Sequence, residues 1–292
     1  MNNFVKDKYI MLKLIKNDII FDNYIFIKKI GDGANGIVIK TRDKKNNKLY
    51  AIKIQNTIGL FGNGYISRLE IIINEINVLK HVPKNKYFPS FIKDYFDNIK
   101  NNIYIVTELV INYITLDIYT KKYKYNENDM FNISRQLCES INLLHKSNIC
   151  HGDFFPKNIL ICPQTLNIKI IDFGAGYYLN DKLFISYYNK KENEKINTKT
   201  AIKKVKINDL TCLGLTIYTL LSYGRDFNRD WMTTQKDCGI NILFQNKNIF
   251  NILINSFNLS DNFYKLAIKK YKYYKSLSTL LYPYHEYINN SI

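Results

Sequence analysis

The sequence predicts an α+β fold of two lobes: a small antiparallel β-sheet lobe with one helix over residues 1–110, then a larger, mainly helical lobe over 111–292. Three observations predict it. Up to about residue 110, apolar residues come in short runs rich in Ile, Val, Tyr and Phe, separated by Gly, Asn, Asp and Lys turns. One stretch in that half, 66–81, instead repeats its apolar residues at helical spacing. Beyond 112, helical spacing takes over.

The elements follow in order. YIFIKKI at 24–30 alternates and reads as a strand; GDGANG turns, IVIK at 37–40 returns, DKKNNK turns again, and LYAIKI at 49–54 is the third strand. In 66–81, Ile71, Ile76 and Leu79 recur on one side of a helix. SFIKDYF and NIYIVTELV are two further strands around a polar turn at 97–102. In the second half, 128–146 places Phe131, Leu137, Ile141 and Leu144 on one helical face. ILIC at 159–162 and IKII at 168–171 are short strands flanking a turn, and a helix is expected over 207–222. Helices are expected again after 245. The basic, aromatic stretch 264–284 reads as a packed helix with snorkelling lysines in preference to a nucleic-acid or membrane-surface patch.

Composition narrows the function classes. An apolar content of 46% in 292 residues buries a sizeable core in one domain. With 12 Gly and 5 Pro, collagen-like and Pro-rich architectures are excluded. The net charge of +17 comes from lysine, which far outnumbers arginine. Abundant Lys, Asn, Ile and Tyr together carry the coding bias of an AT-rich genome, so the charge reads first as a solvated surface. The sharper readings are an acidic protein substrate, nucleic acid or an anionic membrane surface, with nucleic acid not favoured. Cys138, Cys150, Cys162, Cys212 and Cys238 are widely spaced with no CxxC, which argues against a zinc site or disulfide framework and for a reducing compartment. Charges interrupt the apolar N-terminal stretch, and Glu108 interrupts the longest apolar run. The expectation is a soluble, intracellular, cytoplasmic monomer with no transmembrane segment.

Three groups of residues carry chemistry. Gly31-Asp32-Gly33-Ala34-Asn35-Gly36-Ile37-Val38 lies between two strands, so it is a hairpin and not the strand-to-helix turn of a dinucleotide site. A hairpin tip without bulky side chains lets backbone close over phosphates. Ala51-Ile52-Lys53 follows in the next strand, where one lysine can hold phosphate if a carboxylate positions it. Glu75 on the helix is the preferred carboxylate, with Glu70 as the alternative. Then Asp153 and Asn158 stand five apart in HGDFFPKN, ahead of a strand, and Asp172-Phe173-Gly174 follows another short strand. One carboxylate to orient a hydroxyl and take its proton, with an amide oxygen and a second carboxylate to hold Mg²⁺, is what phosphoryl transfer needs.

From about Tyr24 to Leu221 these residues resemble the signature set of the protein-kinase superfamily. The resemblance implies a single protein kinase domain of bilobal fold that uses ATP and Mg²⁺ to phosphorylate Ser/Thr hydroxyls of proteins. It implies that Gly31, Gly33, Gly36 and Val38 cover ATP and that Ala51 meets adenine. Lys53 pairs with phosphate and Glu75. Thr107 is the gatekeeper, and Glu108 to Val110 form the hinge. Asp153 becomes the catalytic base, Asn158 and Asp172 the metal ligands, and Asp209 the buried aspartate that anchors the catalytic loop. His151-Gly152-Asp153 with Asp209-Leu210-Thr211-Cys212-Leu213-Gly214 is similar in wording to the casein kinase I and vaccinia-related kinase group. With the AT-rich bias, the source is expected to be a large DNA virus or an AT-rich protist. If viral, the site of action is host cytoplasm or virion.

The chain also departs from the family pattern. Gly152 replaces the arginine that usually pairs with a phosphorylated activation loop, so activity is expected without loop phosphorylation. Phe155 stands where Ser/Thr kinases have lysine, and Lys157 is the candidate substitute, against the alternative of an exposed lysine. No APE ends the activation segment. Residues 175–206 instead hold Lys182, Lys190, Lys191, Lys195, Lys199, Lys203, Lys204 and Lys206. That segment reads either as an attractor of acidic or phosphorylated substrates or as a disordered, solvated loop. Its Tyr177, Tyr178, Tyr187, Tyr188 and Thr200 are candidate autophosphorylation sites. Two other functions compete: a pseudokinase scaffold, which Phe155 favours, and a small-molecule kinase of the aminoglycoside or choline type, which His151-Gly152-Asp153 fits.

Overall fold

A computed structural model describes residues 17–33, 36–61 and 64–221. The helices expected after 245, the stretch 264–284 and Cys238 lie outside the described residues. The described residues fall into two compact units: the chain up to Ile58 together with Ser90–Val110, and Gly59–Pro89 together with the chain from Ile111 on.

The first unit is a six-stranded antiparallel sheet. Its strands are β1 (Ile19–Phe21), β2 (Tyr24–Gly33), β3 (Gly36–Asp43) and β4 (Leu49–Asn56), with the later β7 (Phe91–Asp97) and β8 (Asn102–Glu108) completing the order β1-β2-β3-β4-β8-β7. Period-2 alternation builds it. On one face Ile39, Ile52, Ile54, Tyr104 and Val106 pack with Phe21, Tyr24 and Phe26 into a single core. Asn47 and Asn101 sit in left-handed turns at φ 57° and 53°, a conformation asparagine tolerates better than most residues.

The second unit begins with the short pair β5 (Leu60–Phe61) and β6 (Ile66–Ser67), then α1 (Arg68–His81). A capping box starts α1: Ser67 Oγ accepts from Glu70 N–H, and the Glu70 carboxylate accepts from Ser67 N–H. The helix buries Ile71, Ile72, Glu75, Ile76 and Val78. By backbone contacts α1 groups with this unit and not with the sheet, although it stands inside the 1–110 stretch. The two remaining sheet strands, β7 (Phe91–Asp97) and β8 (Asn102–Glu108), return the chain to the first unit.

The rest is mainly helical. After β9 (Ile114–Thr115) and α2 (Leu116–Lys122) comes α3 (Glu127–Lys146), opened by an Asn126/Asp129 capping box. Its buried stripe is Ile133, Leu137, Cys138, Ile141 and Leu144. Each fully buried Leu or Ile there contributes about 1.5–3 kcal/mol. Phe131 is a correction: it is 49% exposed. Six residues separate it from Leu137, about 240° of helical rotation, so it leaves the stripe that Ile133 and Met130 join. Short strands β10 (Ile149–Cys150), β11 (Ile159–Ile161), β12 (Ile168–Ile170) and β13 (Tyr177–Tyr178) form the sheets β12-β11-β9 and β10-β13. A 3-10 turn at Pro156–Asn158 precedes β11.

The lysine-rich segment is ordered, not a solvated loop. It forms α4 (Phe184–Glu192) and the first turns of α5 (Thr198–Leu221), which starts nine residues before the expected helix. Phe184, Tyr188, Ala201 and Val205 give the segment its own core with Cys150, Tyr177 and Leu179. Lysine run and apolar stripe interleave at helical spacing, so Lys182, Lys190, Lys195, Lys199, Lys203 and Lys204 face out while the segment packs, and Lys191 turns inward. No helix among the described residues is long and apolar enough to cross a membrane.

Candidate active site

In the first unit the sheet register gathers the predicted nucleotide residues. Val38 stands opposite Lys53, and Lys53 opposite Ile105. Ala51 stands opposite Lys40 and Thr107. Directly paired residues share a face, so Val38, Ala51, Lys53 and Thr107 lie on the face opposite the Ile39–Ile52–Val106 core. Gly31 pairs with Val38 and Gly33 with Gly36, which places both at the end of the hairpin. Gly36 is obligatory: its φ is 124°, and an added Cβ would stand 2.2 Å from Ile54 O. Beyond β8, Glu108 N–H donates to Ser90 O at 2.9 Å, and Ser90 N–H donates to the Glu108 carboxylate at 3.2 Å. The Glu108 amide and side chain are thus occupied within the sheet edge, just ahead of Val110.

The two helix carboxylates separate by environment. Glu70 caps α1 and pairs with Lys190. The Lys190 ammonium, then the Ser67 amide, hold its carboxyl down at about 2. Glu75 is buried, five residues further along.

In the second unit Asp153, Lys157 and Asn158 come together. Asn158 Nδ2 donates to Asp153 O at 2.9 Å and to Asp153 Oδ2 at 2.7 Å. Lys157 Nζ lies 3.4 Å from Asp153 Oδ2, on a side chain that is 60% exposed. Phe155 faces elsewhere, packed against the main core. Asp172 has φ 63°, and its Oδ1 accepts from Gly174 N–H at 3.3 Å. Ile171 N–H donates to Asn158 O at 2.9 Å, which seats the Asp172 turn beside the Asn158 turn.

This loop is held from beneath. Asp209, fully buried on α5, accepts from Gly152 N–H at 2.7 Å, His151 N–H at 2.8 Å and His145 Nε2 at 2.9 Å. Thr216 Oγ1 donates to Phe154 O, and Asn208 Nδ2 to Gly152 O. His151 Nδ1 accepts from Asp153 N–H, so its proton resides on Nε2, which donates to Ile171 O at 3.1 Å. Asp209 therefore performs the anchoring that the resemblance implied. His145, Cys150 and Asp209 have ligand-type atoms within 4.8 Å of one another, but three donors already occupy the carboxylate. Burial pushes the Cys150 thiol well up, so it stays protonated.

Other participants escaped the sequence reading. Along α1, Glu70, Asn74, Asn77 and His81 recur at i, i+4, i+7 and i+11 on one face. They meet Lys190, Gly176 O, Asp181 and the Tyr178 ring, respectively. The spacing was legible; its polar partners were not. Of the candidate phosphorylated tyrosines, Tyr177 and Tyr188 are buried, and burial raises both hydroxyl pKa values. Thr200 is exposed.

The family model for the protein kinase domain matches residues 24–266. The chain belongs to the protein kinase family. It is 32% identical over 171 residues to a probable serine/threonine-protein kinase, fhkB, of Dictyostelium discoideum, covering 57% of this chain and 14% of that protein. It is 29% identical over 247 residues to calcium-dependent protein kinase 4 of Plasmodium falciparum, covering 78% and 43%. To myosin light chain kinase A of D. discoideum it is 31% identical over 162 residues, covering 55% and 52%. The chain thus spans about half or less of these relatives' lengths. As a kinase domain it has the bilobal α+β fold, a small antiparallel sheet lobe and a larger helical one.

Proposed function

We propose that this kinase domain transfers the γ-phosphate of ATP to Ser or Thr hydroxyls of proteins. The observation that carries the reading is the triad of Asp153, Asn158 and Lys157, placed on a loop that Asp209 pins by two backbone amides. Similarity to serine/threonine kinases supports the acceptor class.

The residues fit ATP and Mg²⁺. Asn158 Nδ2 is occupied by Asp153, which leaves its amide oxygen as a hard ligand. That oxygen and the Asp172 carboxylate would hold Mg²⁺, which supplies charge neutralisation at the phosphates. The glycine hairpin Gly31, Gly33 and Gly36, with Val38, would cover the phosphates. Lys53 would hold the α- and β-phosphates, with Glu75 the carboxylate that the family pattern assigns to it, and Ala51, Thr107, Glu108 and Val110 would line the adenine.

Asp153 accepts the proton of the substrate hydroxyl as its oxygen bonds to the γ-phosphorus and the bond to the bridging oxygen of ADP breaks. Lys157 neutralises charge on the moving phosphoryl group, the task that Phe155 cannot perform from the core. The exposed Lys182, Lys195, Lys199 and Lys203 favour an acidic or already phosphorylated protein. His151-Gly152-Asp153 and the Asp209-Leu210 wording support a place near the casein kinase I and vaccinia-related kinases. Offering casein, a basic protein and small alcohols with γ-labelled ATP tests the reading. Label in protein Ser or Thr supports it; label in alcohols alone overturns it.

A further inference from the structure

We propose that Lys191 is a positioning residue: its ammonium, caged by two tyrosines, pins the turn after Gly174 and so substitutes for the arginine that Gly152 replaces. Lys191 Nζ donates to Ala175 O at 3.1 Å. It stands 4.4 Å from the centroid of the Tyr177 ring and 5.7 Å from that of Tyr187, both aromatic faces that attract a cation. Tyr177 OH donates to Glu192 Oε1 at 2.6 Å, which fixes the nearer ring. Ala175 O also lies 2.3 Å from where a Cβ on Gly152 would be. One carbonyl therefore meets both the glycine of the catalytic loop and the lysine of α4.

The consequence falls on Asp172. The turn it begins is closed by Gly176 N–H to Phe173 O at 2.9 Å and tied to α1 by Asn74 Nδ2 to Gly176 O at 2.9 Å. Lys191 adds a cation to this turn. In the family an arginine at position 152 would need a phosphate to recruit it. Here the cation comes from the activation segment itself and is already in place, and the Ala175 carbonyl it holds leaves no room for a Cβ at position 152.

Burial lowers the Lys191 pKa to about 8, against which Glu192 works. The groups around it are Tyr177 on β13, Tyr187 and Glu192 on its own helix, and Glu70 and Glu75 of α1, whose charges reach Tyr187. Below pH 8 the ammonium is charged and the clamp is set. As pH rises through 8 it is lost. Between 8 and the ordinary value of 10.5 the unfolded chain binds more protons than the folded one, so this group's contribution to stability rises with pH. Local order and global stability move in opposite directions, which a purely structural lysine does not require.

The activity arm rests on the kinase reading; the exchange arm does not. Lys191→Met and Lys191→Arg are compared with the full chain by phosphate transfer from pH 7 to 9 and by amide hydrogen exchange. Lys191→Met is expected to lower kcat about tenfold or more with KM for ATP within about twofold. It is expected to speed exchange at 173–179 while leaving α3 and α5 protected. Lys191→Arg keeps kcat within about threefold and abolishes the decline near pH 8. Unchanged exchange at 173–179 in Lys191→Met overturns the inference. So does exchange that rises across α3 and α5 as well, and so does Lys191→Arg behaving like Lys191→Met. If wild type transfers no phosphate, the kinase reading fails and exchange alone decides.

Discussion

Restoring the family's arginine should damage this protein. At Gly152 the backbone is left-handed, φ 79°, and an added Cβ would meet Ala175 O at 2.3 Å and Ala175 C at 2.8 Å. A left-handed backbone costs a residue with a Cβ about 1–2 kcal/mol. Real Cβ contacts essentially stop at 3.0 Å, so the Ala175 carbonyl must retreat by about 0.7 Å. It is backbone and cannot rotate aside, and Gly152 is itself held by Asp209 and Asn208. Gly152→Arg should therefore destabilise by about 2 kcal/mol, roughly 4–8 °C in Tm. Moving the Asp172 turn by close to an ångström should lower kcat on the order of a hundredfold. Gly152→Ala isolates the backbone effect and should show most of both losses. Thermal melts and initial rates at saturating ATP measure them. Wild-type Tm and kcat in either variant would refute the reasoning, because the close approach would then be absent in solution.

Other expectations follow from the same geometry. Lys157→Met should reduce kcat about tenfold at saturating ATP, with Lys157→Arg close to wild type, measured by initial rates; unchanged turnover removes Lys157 from the chemistry. Asp209→Ala orphans three buried donors at about 1–3 kcal/mol each, so it should yield little folded protein by circular dichroism. Glu70 has its pKa depressed, so its contribution to stability is full above its ordinary value of 4.5 and is lost as pH falls through about 2. Glu70→Gln should flatten that acid limb in pH-dependent melts, weakly, because the Lys190 pair is solvent-exposed. Mass spectrometry after autophosphorylation should find no phosphate on Tyr177 or Tyr188, since both hydroxyls are inside the activation-segment core.

What the sequence showed and what it hid have physical causes. The sheet was legible because Ile39, Ile52 and Val106 alternate with Val38, Ala51, Lys53 and Thr107 at period 2, and that alternation sets both core and register. The loop from His151 to Asn158 was legible because its chemistry needs fixed residue types at fixed spacing. Phe131 was misplaced because a short list of apolar residues fits more than one helical phase, and only tertiary packing selects Ile133 and Met130. Glu75 was preferred to Glu70, but the capping role of Glu70 was hidden because a cap is a backbone event: it depends on where the helix starts, at Arg68. Lys191 was hidden most completely. Seven other lysines share its segment, and nothing local distinguishes the one whose ammonium sits over the Tyr177 and Tyr187 rings.

The central claim is that Asp153 takes the hydroxyl proton on a loop built for phosphoryl transfer. The most direct test is transfer from γ-labelled ATP to casein, with Mg²⁺, by the wild-type chain and by Asp153→Asn. The account predicts incorporation by wild type and a loss of about a hundredfold or more in the variant, with nucleotide binding and Tm retained in both. Equal incorporation by the two proteins, or nucleotide binding with no transfer by wild type to any protein acceptor, would contradict it.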